Sequence, residues 1–213
     1  MQIKQFTFNP FQENTFILYA ENKEAIIVDP GFYDKKEKDV FLGFIKENKL
    51  IPKALINTHA HIDHVLGNYA VLSEYQIPYY LHSLDLPVLE SVKNYAHLYG
   101  FGAYQESPQP TNMLSDGDVL KLNNEEIKIL FTPGHCPGHV VLYLPQIKSV
   151  VNGDVLFKGS FGRVDLPGGD MATLKKSIYE VMFKLPEDTV VYCGHGPKTT
   201  IGQEKESNYI LSF

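Results

Sequence analysis

The stretch Thr58-His59-Ala60-His61-Ile62-Asp63-His64, THAHIDH, places four groups able to bind a metal within six consecutive positions. The preceding residues, KALIN, read as an apolar strand, and His64 to Tyr75 shows helical spacing. The cluster therefore falls on a strand-to-helix loop, where a rigid scaffold commonly presents its chemistry. His59 and His61 are two apart and project to one side of an extended chain, while Asp63 and His64 follow as the chain turns. Imidazole and carboxylate together suit zinc, iron or manganese.

The pattern extends outward from this loop. Ile3 to Phe8, Thr15 to Tyr19 and Ala25 to Val28 read as successive strands, the last closed by the turn Asp29-Pro30-Gly31. From Tyr33 to Lys49, Val40, Phe41, Phe44 and Ile45 recur at helical spacing among lysines and glutamates. Pro78 to His82 reads as a strand and Leu84 to Tyr99 as a helix with an early Pro87. The stretch YGFGAYQESPQPTNM reads as a loop. Val119 to Leu122 and Glu126 to Phe131 alternate about Asn123-Asn124 as a hairpin, followed by strands at Val140 to Leu144 and Ser149 to Val151. A last helix is expected from Met171 to Lys184, and a strand from Thr189 to Tyr192. Strands, helices, strands, helix, strand is an order that two facing mixed sheets with helices outside would bury. The expectation is a four-layer αββα sandwich forming a single domain over 1–213.

Composition narrows the function. The chain has 213 residues, enough for a sizeable core, and a net charge of −6. That balance gives no basic field for a polyanion, so no nucleic-acid partner is expected. No apolar run reaches the ~18 residues of a membrane helix, and MQIKQFTFNP lacks a charged-then-apolar leader layout. The expectation is a cytoplasmic protein with no membrane partner. Two cysteines, Cys136 and Cys193, are too sparse for a disulfide framework and read as reduced thiols.

Three further segments end a strand with glycine plus a ligand type: TPGH with His135, NGD with Asp154, and CGH with His195. Seven candidates result: His59, His61, Asp63, His64, His135, Asp154 and His195. A single catalytic zinc takes three protein ligands and an open position; seven with one shared carboxylate match two adjacent metals. A lone histidine is more commonly a hydrogen-bonded core residue, but five of the eight histidines lie in these segments. For His82 and His97 a structural role is the better reading, and His139 either supports a ligand or opens a strand.

THAHIDH, TPGHCPGH, GD and YCGHG, in this order, resemble the HxHxDH metallo-β-lactamase superfamily over nearly the whole chain. The segments GDVLFKGSFGRVDLPGGD (153–170) and GHGPKTTIGQEKESN (194–208) are similar to short glyoxalase II-like hydrolases, which act on glutathione thioesters. The resemblance implies that His59, His61 and His135 hold one divalent metal, that Asp63, His64 and His195 hold a second, and that Asp154 bridges them. Zinc is the expected ion, with iron or manganese also compatible. A hydroxide held between two cations would attack the thioester carbonyl of an S-2-hydroxyacylglutathione-type substrate. The leaving thiolate needs little protonation, since free thiols have pKa values of about 8.5. Asp63 is first a ligand and secondarily a proton carrier.

Arg163, the only arginine, matches a basic position that contacts the glutathione carboxylate in long glyoxalase II proteins. The competing reading is an ion pair with Asp165 or Asp170 that braces its loop. Lys158 and Lys198 stand in the same position, against plain surface charge. Phe11, Tyr99, Phe101 and Phe161 are candidate pocket walls set against ordinary packing. Long enzymes carry a C-terminal helical domain and a Glu-Tyr-Thr pattern where this chain has GPKTT after His195, so a different subgroup and weaker glutathione contact are expected. Alternatives within the same fold are a persulfide dioxygenase with one iron and a lactonase or esterase. A nuclease is disfavoured by the acidic balance. A non-enzymatic metal-binding module is disfavoured because structural zinc sites are closed and often cysteine-rich.

Overall fold

The computed structural model describes residues 1–213. The chain divides into two compact units, Met1–Met113 and Leu114–Phe213. The first is built on β1 (Gln2–Phe8), β2 (Glu13–Tyr19), β3 (Glu24–Val28), β4 (Ile51–Ile56), β5 (Tyr79–His82) and β6 (Asn112–Leu114), which reaches the boundary. These form a six-stranded sheet in that order, antiparallel from β1 to β3 and parallel from β3 through β4 to β5. A parallel step needs a crossover. It is supplied by α1 (Lys35–Glu47) between β3 and β4, then by α2 (Ile62–Val65) and α3 (Asn68–Tyr75) between β4 and β5.

Local chemistry sets these boundaries. The Asp34 carboxylate accepts from Glu37 N at 2.8 Å and opens α1. Glu37 reaches back to the main-chain N–H of Tyr33 at 2.8 Å and of Asn9 at 2.7 Å, tying the helix start to the β1–β2 turn. Phe41 and Ile45 pack from α1 onto Ile17 and Ile27, paired residues of β2 and β3. Phe16, Leu18, Ile26 and Val28, on the opposite face, are buried as well, so β2 and β3 read as continuous apolar runs. After α4 (Leu86–Tyr95), which carries Pro87 in its first turn, the chain passes through a short 3₁₀ turn and an irregular stretch to β6. The sequence reading had no strand there.

The second unit holds β7 (Val119–Leu122), β8 (Glu125–Phe131), β9 (Val140–Leu144), β10 (Ser149–Gly153), β13 (Val190–Cys193) and β14 (Thr199–Thr200), with a separate hairpin, β11 (Leu156–Phe157) and β12 (Ser160–Phe161). Its sheet runs β14-β13-β10-β9-β8-β7, with β10 and β13 the parallel pair. The crossover between them is α5 (Met171–Glu180), capped by Asp170, with a 3₁₀ turn over Met182–Lys184. Leu174 and Ile178 of α5 pack on Val141, Val150 and Val191 of the sheet. The helix expected over 171–184 is thus two pieces.

The hairpin and the helix α6 (Ile201–Ser207) were not legible in the sequence, and they hold one another. Asn208 Nδ2 donates to Phe157 O at 3.1 Å, to Ser160 O at 2.8 Å and to Glu204 Oε2 at 2.6 Å. Glu204 Oε2 also accepts from Gly159 N at 2.8 Å. Both side chains are buried, so each bond replaces one to water. Replacing Asn208 with Ala strands two hairpin carbonyls and should cost roughly 2–4 kcal/mol in urea unfolding.

Candidate metal centre

The first unit assembles His59, His61, Asp63 and His64. The β4 strand ends at Ile56, His61 is the last extended residue before α2, and Asp63 and His64 lie in its single turn. The helix begins earlier than the sequence reading placed it, and Gly67 separates α2 from α3. The His59 ring centroid is 4.8 Å from that of His61 and 4.1 Å from that of His64. Asp63 Oδ2 is 3.8 Å from His64 Nε2. His59 and His64 are fully buried, while Asp63 keeps some access to solvent.

Asp29 organises this loop from behind. It has a left-handed backbone, φ +47°, which an Asp tolerates better than most residues. Its carboxylate accepts from Thr58 N at 2.7 Å, Thr58 Oγ1 at 2.6 Å and His64 Nδ1 at 3.2 Å. Because the Thr58 hydroxyl gives its hydrogen to Asp29, it accepts from His59 Nδ1 at 3.1 Å. Both imidazoles therefore carry hydrogen on Nδ1 and present an Nε2 lone pair as the ligand atom. Asp29 lies within ligand distance of both rings, but on the Nδ1 side of His64, and so orients rather than ligates. Asn57 donates to His64 O at 2.9 Å, and Asp85 accepts from Ala60 N, between His59 and His61, at 2.8 Å.

Glu13 is also buried beside this network, with Thr15 Oγ1 donating to it at 2.8 Å. Burial holds its carboxyl well above the usual carboxylate range despite the neighbouring His64. The Glu13 side chain packs against Gly31. A Cβ on Gly31 would lie 2.0 Å from Glu13 Oε2, so only glycine fits.

The second unit assembles His135, Asp154 and His195. His135 follows β8 through Thr132-Pro133-Gly134, Asp154 follows β10, and His195 follows β13. Asp154 Oδ2 lies 3.6 Å from His135 Nε2 and 3.5 Å from His195 Nε2. A single carboxylate oxygen midway between two imidazoles has the disposition of a shared ligand. The Arg163 carbonyl accepts from His135 Nδ1 at 2.7 Å, which again leaves Nε2 as donor atom. A Cβ on Gly194 would meet Asp154 Oδ1 at 2.1 Å, so the CGH segment needs its glycine for close approach.

Arg163 itself pairs with Asp165 in two-pronged fashion, Nε to Oδ1 at 2.7 Å and the second nitrogen to Oδ2 at 2.8 Å. That guanidinium holds the Asp165 carboxyl down to about 2. The bracing reading fits this geometry, and the Arg163 backbone carbonyl meets His135. His82 accepts from Leu84 N and caps a turn, with burial pushing its pKa down. Both cysteines are buried and form no disulfide, and burial pushes the Cys193 thiol up to about 12. Phe101 is core, ringed by Phe11 and Tyr33, and Phe161 stacks on Tyr209.

Three imidazoles and Asp63 in the first unit, and two imidazoles and Asp154 in the second, are each donor types suited to divalent zinc, iron or manganese. Asp29, Thr58, Asn57 and Asp85 escaped the sequence reading because nothing marks a residue as an orienting partner. The turn signal Asp29-Pro30-Gly31 was the one visible trace.

The model of the metallo-beta-lactamase superfamily matches residues 8–195. The hydroxyacylglutathione hydrolase GloC of Haemophilus influenzae is 34% identical over 100% of this chain and 99% of its own. Among solved structures, BLEG-1 B3 metallo-beta-lactamase superposes with a TM-score of 0.90 at 36% identity, covering 100% of both chains. TTHA1623, solved in a di-iron-bound form, superposes at 0.86 with 38% identity over 97% of this chain and 98% of its own.

Replacing Asp29 with Asn weakens the acceptor behind His64 and His59 and should lower metal affinity about 10–100-fold, read by competition with a chromogenic chelator. Unchanged affinity would show that the two imidazoles are held without it.

Proposed function

The chain belongs to the metallo-β-lactamase superfamily, and on that premise we propose that it is a metal-dependent hydrolase of thioesters, S-2-hydroxyacylglutathiones above all. The observation that carries the reading is the Asp154 oxygen set between His135 and His195, which suits a carboxylate shared by two ions. The likeness to a relative named hydroxyacylglutathione hydrolase supports the substrate class.

We assign His59, His61 and His135 to one ion, Asp63, His64 and His195 to a second, and Asp154 to both. Divalent cations held there supply Lewis acidity toward a carbonyl and lower the pKa of water from 15.7 to about 7 in the best cases. The protein's own part is to place these donors rigidly, and the Nδ1 hydrogen bonds of His59, His64 and His135 do that. Asp63 and His195 each keep partial side-chain exposure, 13% and 26%. The second oxygen of Asp63 can take the proton that the attacking water loses. The leaving thiol, with a pKa of about 8.5, departs without a dedicated acid. Zinc is the expected ion, and the di-iron form of TTHA1623 makes iron a direct comparison.

The test loads the purified protein separately with zinc, iron and manganese and follows thioester loss from S-lactoylglutathione beside oxygen uptake with glutathione persulfide. Thioester loss without oxygen uptake is expected, and Asp154→Ala should reduce it at least about 100-fold. Oxygen uptake with one iron per chain would make the protein a dioxygenase. Turnover of lactones alone would make it a lactonase.

A further inference from the structure

One buried histidine remains outside the ligand set. His139, at the start of β9, is fully buried, and its Nε2 accepts from Asp154 N at 3.0 Å. A backbone N–H can only donate, so Nε2 carries the lone pair and the ring hydrogen sits on Nδ1. Nδ1 then donates to Thr132 Oγ1, 3.2 Å away. Thr132 is held in turn, because its N–H donates to His139 O at 2.9 Å. His139 has the same tautomer as His135, yet its Nε2 lone pair is given to a backbone amide instead of a cation.

The place of that amide explains why it needs an acceptor. Between Val151 and Gly153 the pairing of β10 with β13 shifts register, and Gly153 adopts φ +51°. The chain leaves the sheet at this point, so the next N–H, that of Asp154, loses a ladder partner where water is excluded. A buried amide there requires a substitute. His139 supplies it, while Gly194 closes on the carboxylate from the other side.

We propose that His139 is a positioning residue for the metal centre: its Nε2 fixes the Asp154 main chain and thereby the carboxylate between His135 and His195. The inference rests on the reading of Asp154 as a shared metal ligand and is independent of which substrate is hydrolysed. TPGHCPGH thus contains two histidines of different kind, His135 offering Nε2 outward and His139 spending it on Asp154. Their ring centroids are 6.0 Å apart.

Three variants separate this role from packing. His139→Gln places an amide oxygen near the Nε2 position and keeps an acceptor for Asp154 N. His139→Asn is too short to reach that amide but keeps the polar group, and His139→Leu removes it. Zinc affinity is measured by chelator competition, and the visible absorption of the cobalt(II)-loaded protein reports ligand geometry. Thermal unfolding of the metal-free chains reports stability alone. Zinc affinity within a few fold of the parent is expected for His139→Gln. Loss of about 10–100-fold with a changed cobalt spectrum is expected for His139→Asn and His139→Leu. Equal affinities for the Gln and Asn variants would overturn the proposal, even if the Leu variant fails to fold. So would parental affinity and spectrum in the Leu variant, whatever its unfolding temperature. Asp154→Asn in parallel separates the two levels: if it leaves zinc affinity unchanged, the shared-ligand reading fails and the role of His139 with it.

Discussion

The carboxylate of Asp29 is the interaction on which the first ligand cluster depends. A carboxyl group with no access to water is tolerated only where hydrogen bonds replace its hydration. Here the Thr58 amide, the Thr58 hydroxyl and the His64 imidazole do so, with Asn57 Nδ2 at 3.3 Å. The same bonds that make its burial tolerable dictate the tautomers of His59 and His64. Stability and orientation are thereby coupled: the loop after β4 holds its imidazoles in place because the residue that follows β3 delivers a buried acceptor to it.

The second cluster reaches a similar result by other means. There a main-chain carbonyl, that of Arg163, orients His135. Gly162 lies against Asp154 O and His135 Nδ1, and Gly194 against Asp154 Oδ1, so a methyl group at either position would collide. The hairpin that carries Phe157 beside the His195 ring is in turn fixed by Asn208 and Glu204. Positions far along the chain therefore set the surroundings of one carboxylate.

Much of the fold was legible because its signals are local. Apolar runs of β2 and β3, the amphipathic face of α1 and the Asn123-Asn124 turn each announce themselves within a few residues. The four segments carrying candidate ligands were equally visible, since each ends a strand in a ligand type, three of them after glycine. What escaped was either too short or too distant. The two-residue strands of the 156–161 hairpin carry no periodicity, and β6 hides in a proline-rich stretch. Asp29 and Arg163 O bond His64 and His135, and Asp85 the Ala60 amide between His59 and His61, each more than 20 residues away, and no spacing rule encodes such a contact. A lone arginine in a recognisable segment suggested either anion binding or a loop brace; its guanidinium pairs with Asp165, and its carbonyl meets His135, a contact that residue type does not announce.

The central claim is that one carboxylate serves two ions. Crystals of the zinc-loaded protein, measured at the zinc absorption edge, address it most directly. Two anomalous peaks roughly 3.5–4 Å apart are expected, one bonded to His135, the other to His195, and both to Asp154. A single peak, with Asp154 bonded to it alone, would contradict the two-ion centre.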